Sequence, residues 1–466
     1  MDKLREECGL VGICSTQYQP LGTKLFDGLM SLQHRGQEAA GIAVYHEGVM
    51  TYFKNTGLAS EVFNQENLRP LNGSIGIGHV RYSTIGSQAR KNAQPLVVEF
   101  KGGSMALVHN GNLINAVSIR EELIDEGHSF TTTIDSEVIV RLLSKNYKGD
   151  GLEALITTLK QIKGGYALIL ILDSKMYGVR DPNALRPLVM GRTKDNEIVF
   201  ASETCTLDLL EAEYIKDLDK GEIVEVSGSD YKSYTFDDTK RRAVCAFEYV
   251  YFSRPDSRQE GRSVYEARVR MGELLAEKDS GEYDLVAPVP DSGIPAAVGY
   301  AKAAGLPYTH TLIKNKYIGR TFMDPTQEER ERLLRLKLGI ISETVKDKRI
   351  LLVDDSIVRG TTMKRLVDRL KQAGAKEVHV RSCSPPIKYS CYFGIDTPQK
   401  KTLIGANYEV DMIAKQIGAD SLMYLDYMDL IEAIGIPKEE LCCACFDGQY
   451  PMEVPRVQSR YVFEKF

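Results

Sequence analysis

Cys8 lies in the stretch EECGLVGI behind a short charged leader, where it could serve as a nucleophile. A thiol attacks only as its thiolate, so such chemistry requires a base close by. If residues 1–7 were removed by cleavage after Glu7, the freed α-amino group would supply that base, because its pKa is roughly 7.7 to 8.0 in model compounds. An internal amide cannot act in this way. The simpler alternative is that Cys8 is a small core residue.

Four further segments of the first half carry polar residues that suit ligand binding. They are QHRGQEAAGIAVY (33–45), GIGHVRYSTIGS (76–87), VHNGN (108–112) and TIDSE (133–137). Each has an ordinary interpretation when taken alone. Asn110-Gly111 is a common turn dipeptide, Arg81 could be a surface charge, and Asp135 could cap a helix.

The segment RILLVDDSIVRGTT, residues 349–362, predicts a phosphate and ribose site. Ile350 to Val353 read as a buried strand, and Asp354 and Asp355 follow at its carboxyl end, where open α/β sheets bind ligands. Adjacent carboxylates accept hydrogen bonds from vicinal hydroxyls or help to hold a hard cation. Gly360 allows backbone N–H groups to approach an anion at the start of a helix. A strand end with an Asx turn is the alternative.

A second strand end, VAPVPDSGIPAA (286–297), places Asp291, Ser292 and Gly293 at the tip of another loop. Pro-Asp-Ser-Gly is also ordinary turn chemistry. Between the two loops lies a charged stretch that contains Lys314, Lys316, Arg320 and Lys337. We predict that this stretch closes over an anionic substrate, although a solvated charged loop is the alternative.

Composition and charge exclude several classes of protein. The 466 residues are 43% apolar and 26% charged, which predicts two or three globular domains. The net charge of −5 argues against a nucleic-acid partner. We find neither a secretory signal nor an apolar run of membrane-spanning length. Nine cysteines without a secretion signal argue against a disulfide framework. We therefore predict a cytoplasmic protein.

The pattern of strands and helices changes partway along the chain. Up to about residue 235, strands alternate with a few amphipathic helices, which predicts a layered α+β domain. Beyond the polar run 227–242, apolar strands lead through loops into helices, as in a parallel α/β sheet. We predict a leader at 1–7, a first domain at 8–235 and a second domain at 236–466.

Together these segments resemble the glutamine phosphoribosylpyrophosphate amidotransferases, or amidophosphoribosyltransferases, over essentially the whole chain. The resemblance implies an αββα four-layer N-terminal-nucleophile (Ntn) glutaminase domain, followed by an α/β type I phosphoribosyltransferase domain with a central parallel sheet. It implies that glutamine, 5-phosphoribosyl-1-pyrophosphate (PRPP) and water give 5-phosphoribosylamine, glutamate and pyrophosphate, the first committed step of purine biosynthesis. Residues 1–7 would be a propeptide.

The resemblance also implies residue roles. Cys8 would form a glutamyl thioester, Asn110 and Gly111 would stabilise the oxyanion, and Arg81 and Asp135 would bind the α-carboxylate and α-ammonium groups of glutamine. Mg²⁺ would bind at Ser292, Asp354 and Asp355. The PRPP site would comprise Asp291, Ser292, Gly293, Lys314, Lys316, Arg320, Lys337, Asp354, Asp355, Ser356, Arg359, Gly360, Thr361 and Thr362.

Four cysteines suggest a metal centre. Cys442 and Cys445 form a C-x-x-C pair, and the contexts of Cys245 and Cys391 resemble the subgroup of the family that carries a [4Fe-4S] cluster. Thiolate ligation would also suit zinc, and scattered buried cysteines are a further alternative. Cys443 leaves the ligand set open.

The resemblance further implies a transient ammonia channel, purine nucleotide inhibitors and a homotetramer or dimer. Two rival functions remain at this stage. One is another glutaminase of the N-terminal-nucleophile class, which the segment DDSIVRGTT disfavours. The other is a PRPP-fold regulator that senses nucleotides and has lost catalysis, which the glutaminase residues disfavour.

Overall fold

The computed structural model describes residues 8–82, 89–315, 317 and 336–455. We refer to residues 8–235 as the N-terminal half and to residues 236–455 as the C-terminal half. The predicted propeptide and two predicted PRPP ligands, Lys316 and Arg320, lie outside the described residues.

Two antiparallel sheets form the centre of the N-terminal half. Their thirteen strands are β1 (Gly9–Gln19), β2 (Ala39–His46), β3 (Val49–Thr56), β4 (Gly73–Arg81), β5 (Leu96–Phe100), β6 (Gly103–Leu113), β7 (Gly164–Leu172), β8 (Lys175–Arg180), β9 (Val189–Thr193), β10 (Ile198–Ala201), β11 (Ala212–Asp217), β12 (Glu222–Ser227) and β13 (Asp230–Thr235). One sheet has the order β11-β9-β10-β1-β4-β2-β3, and the other has the order β13-β12-β8-β7-β6-β5.

Helices cover the outer face of each sheet. They are α1 (Leu21–Ser31), α2 (Ala59–Val62), α3 (Gln65–Leu68), α4 (Ala116–Asp125), α5 (Ser136–Asn146), α6 (Gly151–Leu159) and α7 (Thr204–Leu209). Separate hydrophobic clusters lie between the helices and the seven-stranded sheet, between the two sheets, and between the six-stranded sheet and its helices. This is the predicted αββα arrangement.

Strand β1 shows how the sequence builds the layers. Successive side chains of a strand point to opposite faces. Leu10 and Cys14 accordingly join the cluster between the sheets, whereas Val11 and Ile13 join the cluster under the helices. Because both faces of residues 9–14 are buried, this part of β1 is a continuous apolar run, whereas the polar end of the strand is exposed.

The C-terminal half contains a four-stranded parallel sheet in the order β17-β20-β21-β22. The strands of this half are β14 (Val244–Cys245), β15 (Arg258–Gln259), β16 (Arg262–Ser263), β17 (Leu285–Pro288), β18 (Leu312–Lys314), β19 (Leu338–Ile340), β20 (Arg349–Asp354), β21 (Glu377–Ser382), β22 (Ser421–Tyr424) and β23 (Leu441–Cys442). Its helices are α8 (Val264–Lys278), α9 (Ile294–Ala304), α10 (Ser342–Val345), α11 (Thr361–Gln372), α12 (Ile404–Asn407), α13 (Val410–Ile417), α14 (Tyr427–Ile434) and α15 (Ala444–Asp447).

Helices pack on both faces of the parallel sheet. Val286 and Leu351 belong to the cluster that includes α8, α9 and α14, whereas Leu285 and Ile350 belong to the cluster that includes α11 and α13. The predicted fold class is confirmed for both halves. Among the described helices, none is both long and apolar enough to cross a membrane.

The two halves meet through buried charges. Arg35 of the N-terminal half donates to Glu203 (2.6 Å) and to Glu248 (2.7 Å), and Glu248 lies in a π-helical turn of the C-terminal half. All three residues are at most 3% exposed. A buried ion pair constrains its partners closely because either charge left alone is costly.

Candidate functional site

Strand periodicity brings the predicted glutamine-site residues into one layer. Cys8 immediately precedes β1 and shares the parity of Leu10 and Cys14, whose side chains point between the sheets. By the same alternation, Asn110 lies on the face of β6 that carries Ala106 and Val108. The predicted nucleophile and the predicted oxyanion donor therefore both face the layer between the two sheets.

The surroundings of Cys8 oppose ionisation of its thiol. Burial raises the pKa of Cys8 to about 11, against smaller opposing effects of a hydrogen bond to Tyr82 and of the charge of Arg81. Cys8 Sγ lies 3.5 Å from the carbonyl oxygen of Tyr82. Little thiolate exists at neutral pH. The predicted attack of Cys8 on the carboxamide of glutamine would therefore require a base, as the sequence analysis expects.

Asn110 and Gly111 do not form the turn that their dipeptide suggests. Both lie inside β6, and Asn110 is fully buried. Within the described chain, neither amide atom of the Asn110 side chain has a hydrogen-bond partner. A buried amide without a protein partner is costly unless a ligand satisfies it. Gly111 has a φ of +135°, and a Cβ there would lie 2.0 Å from the carbonyl oxygen of Gly165, so only glycine fits.

Arg81 and Asp135 also depart from their ordinary interpretations. Arg81 ends β4 and is 3% exposed, so it is not a surface charge. Asp135 precedes α5, but its carboxylate does not cap that helix. Instead it accepts a 2.9 Å hydrogen bond from the backbone N–H of Leu113, which holds it beside β6. Both side chains exert their charge on the Cys8 thiol.

Arg35 is a site residue that the sequence analysis did not single out. Its Nε donates to the carbonyl oxygen of Cys8 at 3.3 Å, while its other nitrogens bind Glu203 and Glu248. The charged letters QHR look like a polar loop, and only the fold shows that this arginine is buried. The sequence feature that could have indicated a buried Arg35 is its position before Gly36 and the small residues at the start of β2.

The predicted phosphate site lies at the carboxyl end of the parallel sheet. β20 ends at Asp354, and Asp355 and Ser356 follow; all three are at most 5% exposed. Gly360 has a φ of +80° and immediately precedes α11, which begins at Thr361. The short loop therefore turns directly into a helix N-terminus, where N–H groups and the helix dipole favour an anion.

The second loop packs against the first. The N–H of Val289 donates to the carbonyl oxygen of Val353 at 2.8 Å. A Cβ on Gly293 would lie 2.4 Å from that same oxygen, so the close approach of the loops depends on this glycine. Ser292 Oγ donates to Asp355, which brings two of the three predicted Mg²⁺ ligands into contact.

The remaining predicted PRPP residues surround these loops. Lys314 forms a 2.6 Å ion pair with Asp291, and both are exposed. Lys337 directly precedes β19, which pairs with the strand that ends at Lys314. Arg359 and Thr361 are exposed and Thr362 is half-buried, as ligand-facing groups can be.

Four cysteines line one cavity at the junction of the halves. Cys245 and Cys442 are paired across parallel strands, and Cys391 and Cys445 complete the lining, together with Arg186 of the N-terminal half. Burial raises the pKa of Cys442 to about 12, and the charge of Arg186 opposes that rise. Cys443 does not line the cavity. Among the described side chains, no group of three His, Cys, Asp or Glu residues could by itself hold a metal ion.

Fold and site together define a glutamine amidotransferase joined to a phosphoribosyltransferase. Residues 79–208 match the glutamine amidotransferase domain family, and residues 266–390 match the phosphoribosyl transferase domain family.

Full-length relatives extend the match. The amidophosphoribosyltransferase of Methanothermobacter thermautotrophicus is 46% identical, over 98% of this chain and 97% of the relative. That of Bacillus subtilis is 43% identical, over 97% and 95%. The solved structure of the B. subtilis PRPP amidotransferase with ADP and GMP superimposes with a TM-score of 0.90 at 42% identity, covering 96% of this chain and 98% of that one. The chain belongs to the amidophosphoribosyltransferase family and is a pentosyltransferase with a glutamine amidotransferase domain.

Proposed function

We propose that this protein converts glutamine, PRPP and water into 5-phosphoribosylamine, glutamate and pyrophosphate in purine biosynthesis. The observation that carries the proposal is the presence, in one chain, of a buried Asn110 amide in the layer that Cys8 faces and of a carboxylate and glycine loop at the end of a parallel sheet. Ammonia released at the first site is the nucleophile at the second.

At the glutamine site, Cys8 attacks the carboxamide and forms a thioester. The freed α-amino group takes the thiol proton and then donates it to the departing ammonia. Asn110 and the backbone of Gly111 bind the oxyanion, which develops only as the tetrahedral intermediate forms. Arg81 pairs with the α-carboxylate and Asp135 with the α-ammonium group of glutamine. Cleavage after Glu7 is part of this proposal.

Cys8→Ala tests the separation of the two sites. We expect no measurable product with glutamine, because the nucleophile is gone, and near-normal pyrophosphate release with added ammonium salt. The assay is PRPP-dependent pyrophosphate release with each nitrogen source. Loss of both activities would contradict two separable sites, and loss of neither would remove Cys8 from the mechanism.

At the PRPP site, we propose that the loop from Ser356 to Thr362 binds the 5-phosphate and that Asp354 and Asp355 bind the ribose hydroxyls. The loop of Asp291 to Gly293 binds pyrophosphate, with Lys314 and Lys337 adding positive charge. Lys316 and Arg320 complete this set. Ser292, Asp354 and Asp355 would hold Mg²⁺, which would supply positive charge to the leaving pyrophosphate.

We propose that the four-cysteine cavity holds a [4Fe-4S] cluster. Zinc would also accept thiolate ligands, at about 2.3 Å from each sulfur. A cluster needs thiols arranged around a cavity, as Cys245, Cys391, Cys442 and Cys445 are. The N–H of Phe393, 3.4 Å from Cys391 Sγ, suits a thiolate ligand. The proposed role is structural or oxygen-sensing, since the reaction transfers no electrons.

Metal analysis of anaerobically purified protein tests the cluster. We expect a brown protein with about four iron atoms per chain, as the cluster stoichiometry requires. Cys442→Ser should lose iron, whereas Cys443→Ser should retain it, because Cys443 lies outside the cavity lining. A colourless protein that contains zinc would contradict the cluster.

Several broader features belong to the same proposal. The catalytic domains extend over 8–235 and 236–466, and ammonia crosses a transient channel between them. Purine nucleotides inhibit the enzyme at the PRPP site and at a neighbouring subunit edge, and the enzyme is a homotetramer or dimer. We place it in the cytoplasm, because none of its nine cysteines is paired in a disulfide within the described chain, as expected in a reducing compartment.

A further inference from the structure

The C-terminal half reaches into the N-terminal half at the glutamine site. The segment 391–394 begins with the cavity cysteine Cys391 and packs against β6 and β7. Phe393 is 1% exposed, and its Cβ lies 2.9 Å from the position that a Cβ on Gly165 would occupy. Gly165 is the cross-strand neighbour of Asn112, two residues after Asn110.

Two contacts join this segment to the residues around Gly111. Asn112 is buried, and its Nδ2 donates to the carbonyl oxygen of Tyr392 at 2.8 Å. Gly394 has a φ of +122°, and a Cβ there would lie 2.9 Å from Gly111 Cα and 3.1 Å from Gly111 C. The backbone of Gly111 is therefore held between Gly165 on one side and Gly394 on the other.

We infer that Asn112 and Gly394 are positioning residues for the Gly111 backbone. Gly394 of the C-terminal half packs against Gly111, and Asn112 binds the segment that carries Gly394, so that Gly111 is set for oxyanion binding. The inference rests on the proposed role of Asn110 and Gly111. An oxyanion donor lies about 2.7 to 3.1 Å from the developing charge, and a shift of about 0.5 Å from that geometry already weakens its effect. A side chain at position 394 would push the Gly111 peptide, and loss of the Asn112 amide would release the segment that holds it.

Gly394→Ala and Asn112→Ala test this inference, with Gly103→Ala as the matched control. Gly103 has a similar φ of +105°, but a Cβ there meets nothing within 4 Å. It therefore reproduces the backbone strain of an alanine in this region without the contact. Each variant is assayed for glutamine-dependent and ammonia-dependent pyrophosphate release and for the KM for glutamine.

We expect Gly394→Ala to lower kcat with glutamine by about tenfold or more and Asn112→Ala by about threefold or more. KM for glutamine should change less than about threefold, because the contact strengthens in the transition state. Activity with ammonia should stay within about twofold of the parent enzyme, and Gly103→Ala should keep both activities. A merely structural defect would lower both activities together.

Unchanged kcat with glutamine in Gly394→Ala, or a parallel fall of both activities, would overturn the inference. If Gly394→Ala does not fold, unchanged kcat in Asn112→Ala overturns it. Asn110→Ala separates this inference from the function on which it rests. A normal glutamine rate in Asn110→Ala contradicts the proposed oxyanion site itself, whereas an inactive Asn110→Ala beside a normal Gly394→Ala removes only the positioning role.

Discussion

At the scale of a single residue, the proposed role of Cys8 conflicts with its position. A nucleophilic cysteine requires a thiolate, and a buried position disfavours the thiolate. The position of Cys8 before β1 brings it to the end of the layer between the sheets, but burial there raises the pKa of the thiol to about 11. The charge of Arg81 lowers that pKa only partly. A nucleophile in such surroundings needs its own base, and an α-amino group on the same residue is the closest base that a polypeptide can supply.

The raised pKa of Cys8 predicts how its alkylation depends on pH. In protein that retains residues 1–7, the rate with iodoacetamide should rise about tenfold per pH unit between pH 7 and 9, because this window lies below the pKa and the thiolate fraction grows across it. Peptide mapping by mass spectrometry measures the rate. Cys205 serves as the internal control, since burial raises the pKa of Cys205 to about 12. A rate at Cys8 that does not depend on pH would contradict the prediction.

At the scale of elements, β20, its loop and α11 form the phosphate site. The strand supplies two carboxylates, and Gly360 provides the positive φ that turns the chain into the helix. A Cβ at Gly360 would also meet Ile404 Cδ1 at 2.7 Å, so α12 limits the loop from outside. Helix α11 is followed by a second glycine with positive φ, Gly374. A Cβ on Gly374 would have its nearest neighbour 3.5 Å away.

These two glycines provide a matched test of the phosphate loop. An alanine at either position costs about 1 to 2 kcal/mol of backbone strain. Gly360→Ala should also displace the loop and reduce kcat/KM for PRPP by about tenfold or more in the ammonia-dependent reaction. Gly374→Ala should leave kcat/KM within about threefold. Equal losses in the two variants would mean that strain, rather than the position of the loop, determines the effect.

At the scale of the whole molecule, buried charges join the two halves. Arg35 touches the Cys8 carbonyl and pairs with Glu203 of its own half and Glu248 of the other. Removal of Arg35 would leave the Glu203 and Glu248 carboxylates buried without their shared guanidinium, which is costly away from water. The C-terminal half thus supplies one partner of the arginine that contacts Cys8.

Glu248→Gln should destabilise the enzyme by about 3 to 5 kcal/mol, because it breaks a buried ion pair. Glu432→Gln is the control, since Glu432 forms an exposed pair with Arg270 at 2.6 Å. Exposed pairs contribute about 0 to 1 kcal/mol. Thermal unfolding midpoints compare the two variants. Similar small shifts in both would show that the interdomain pair contributes little to stability.

Local sequence predicted the element types, and it indicated candidate site residues. Period-two and helical apolar patterns predicted the layered first half and the parallel sheet of the second, because burial demands those periods. Acidic and glycine residues at the end of a β-rich run predicted the anion loop, since strand, turn and helix start lie within fourteen residues, 349–362.

Only the tertiary structure decided how distant residues act together. It showed that Asn110 is a buried amide within a strand rather than part of a turn, that Arg35 holds the Cys8 carbonyl, and that Cys443 lies outside the cysteine cavity. It also brought Gly394 against Gly111. These relationships depend on burial and on contacts between residues up to several hundred positions apart, and no local pattern of residue types encodes such distances.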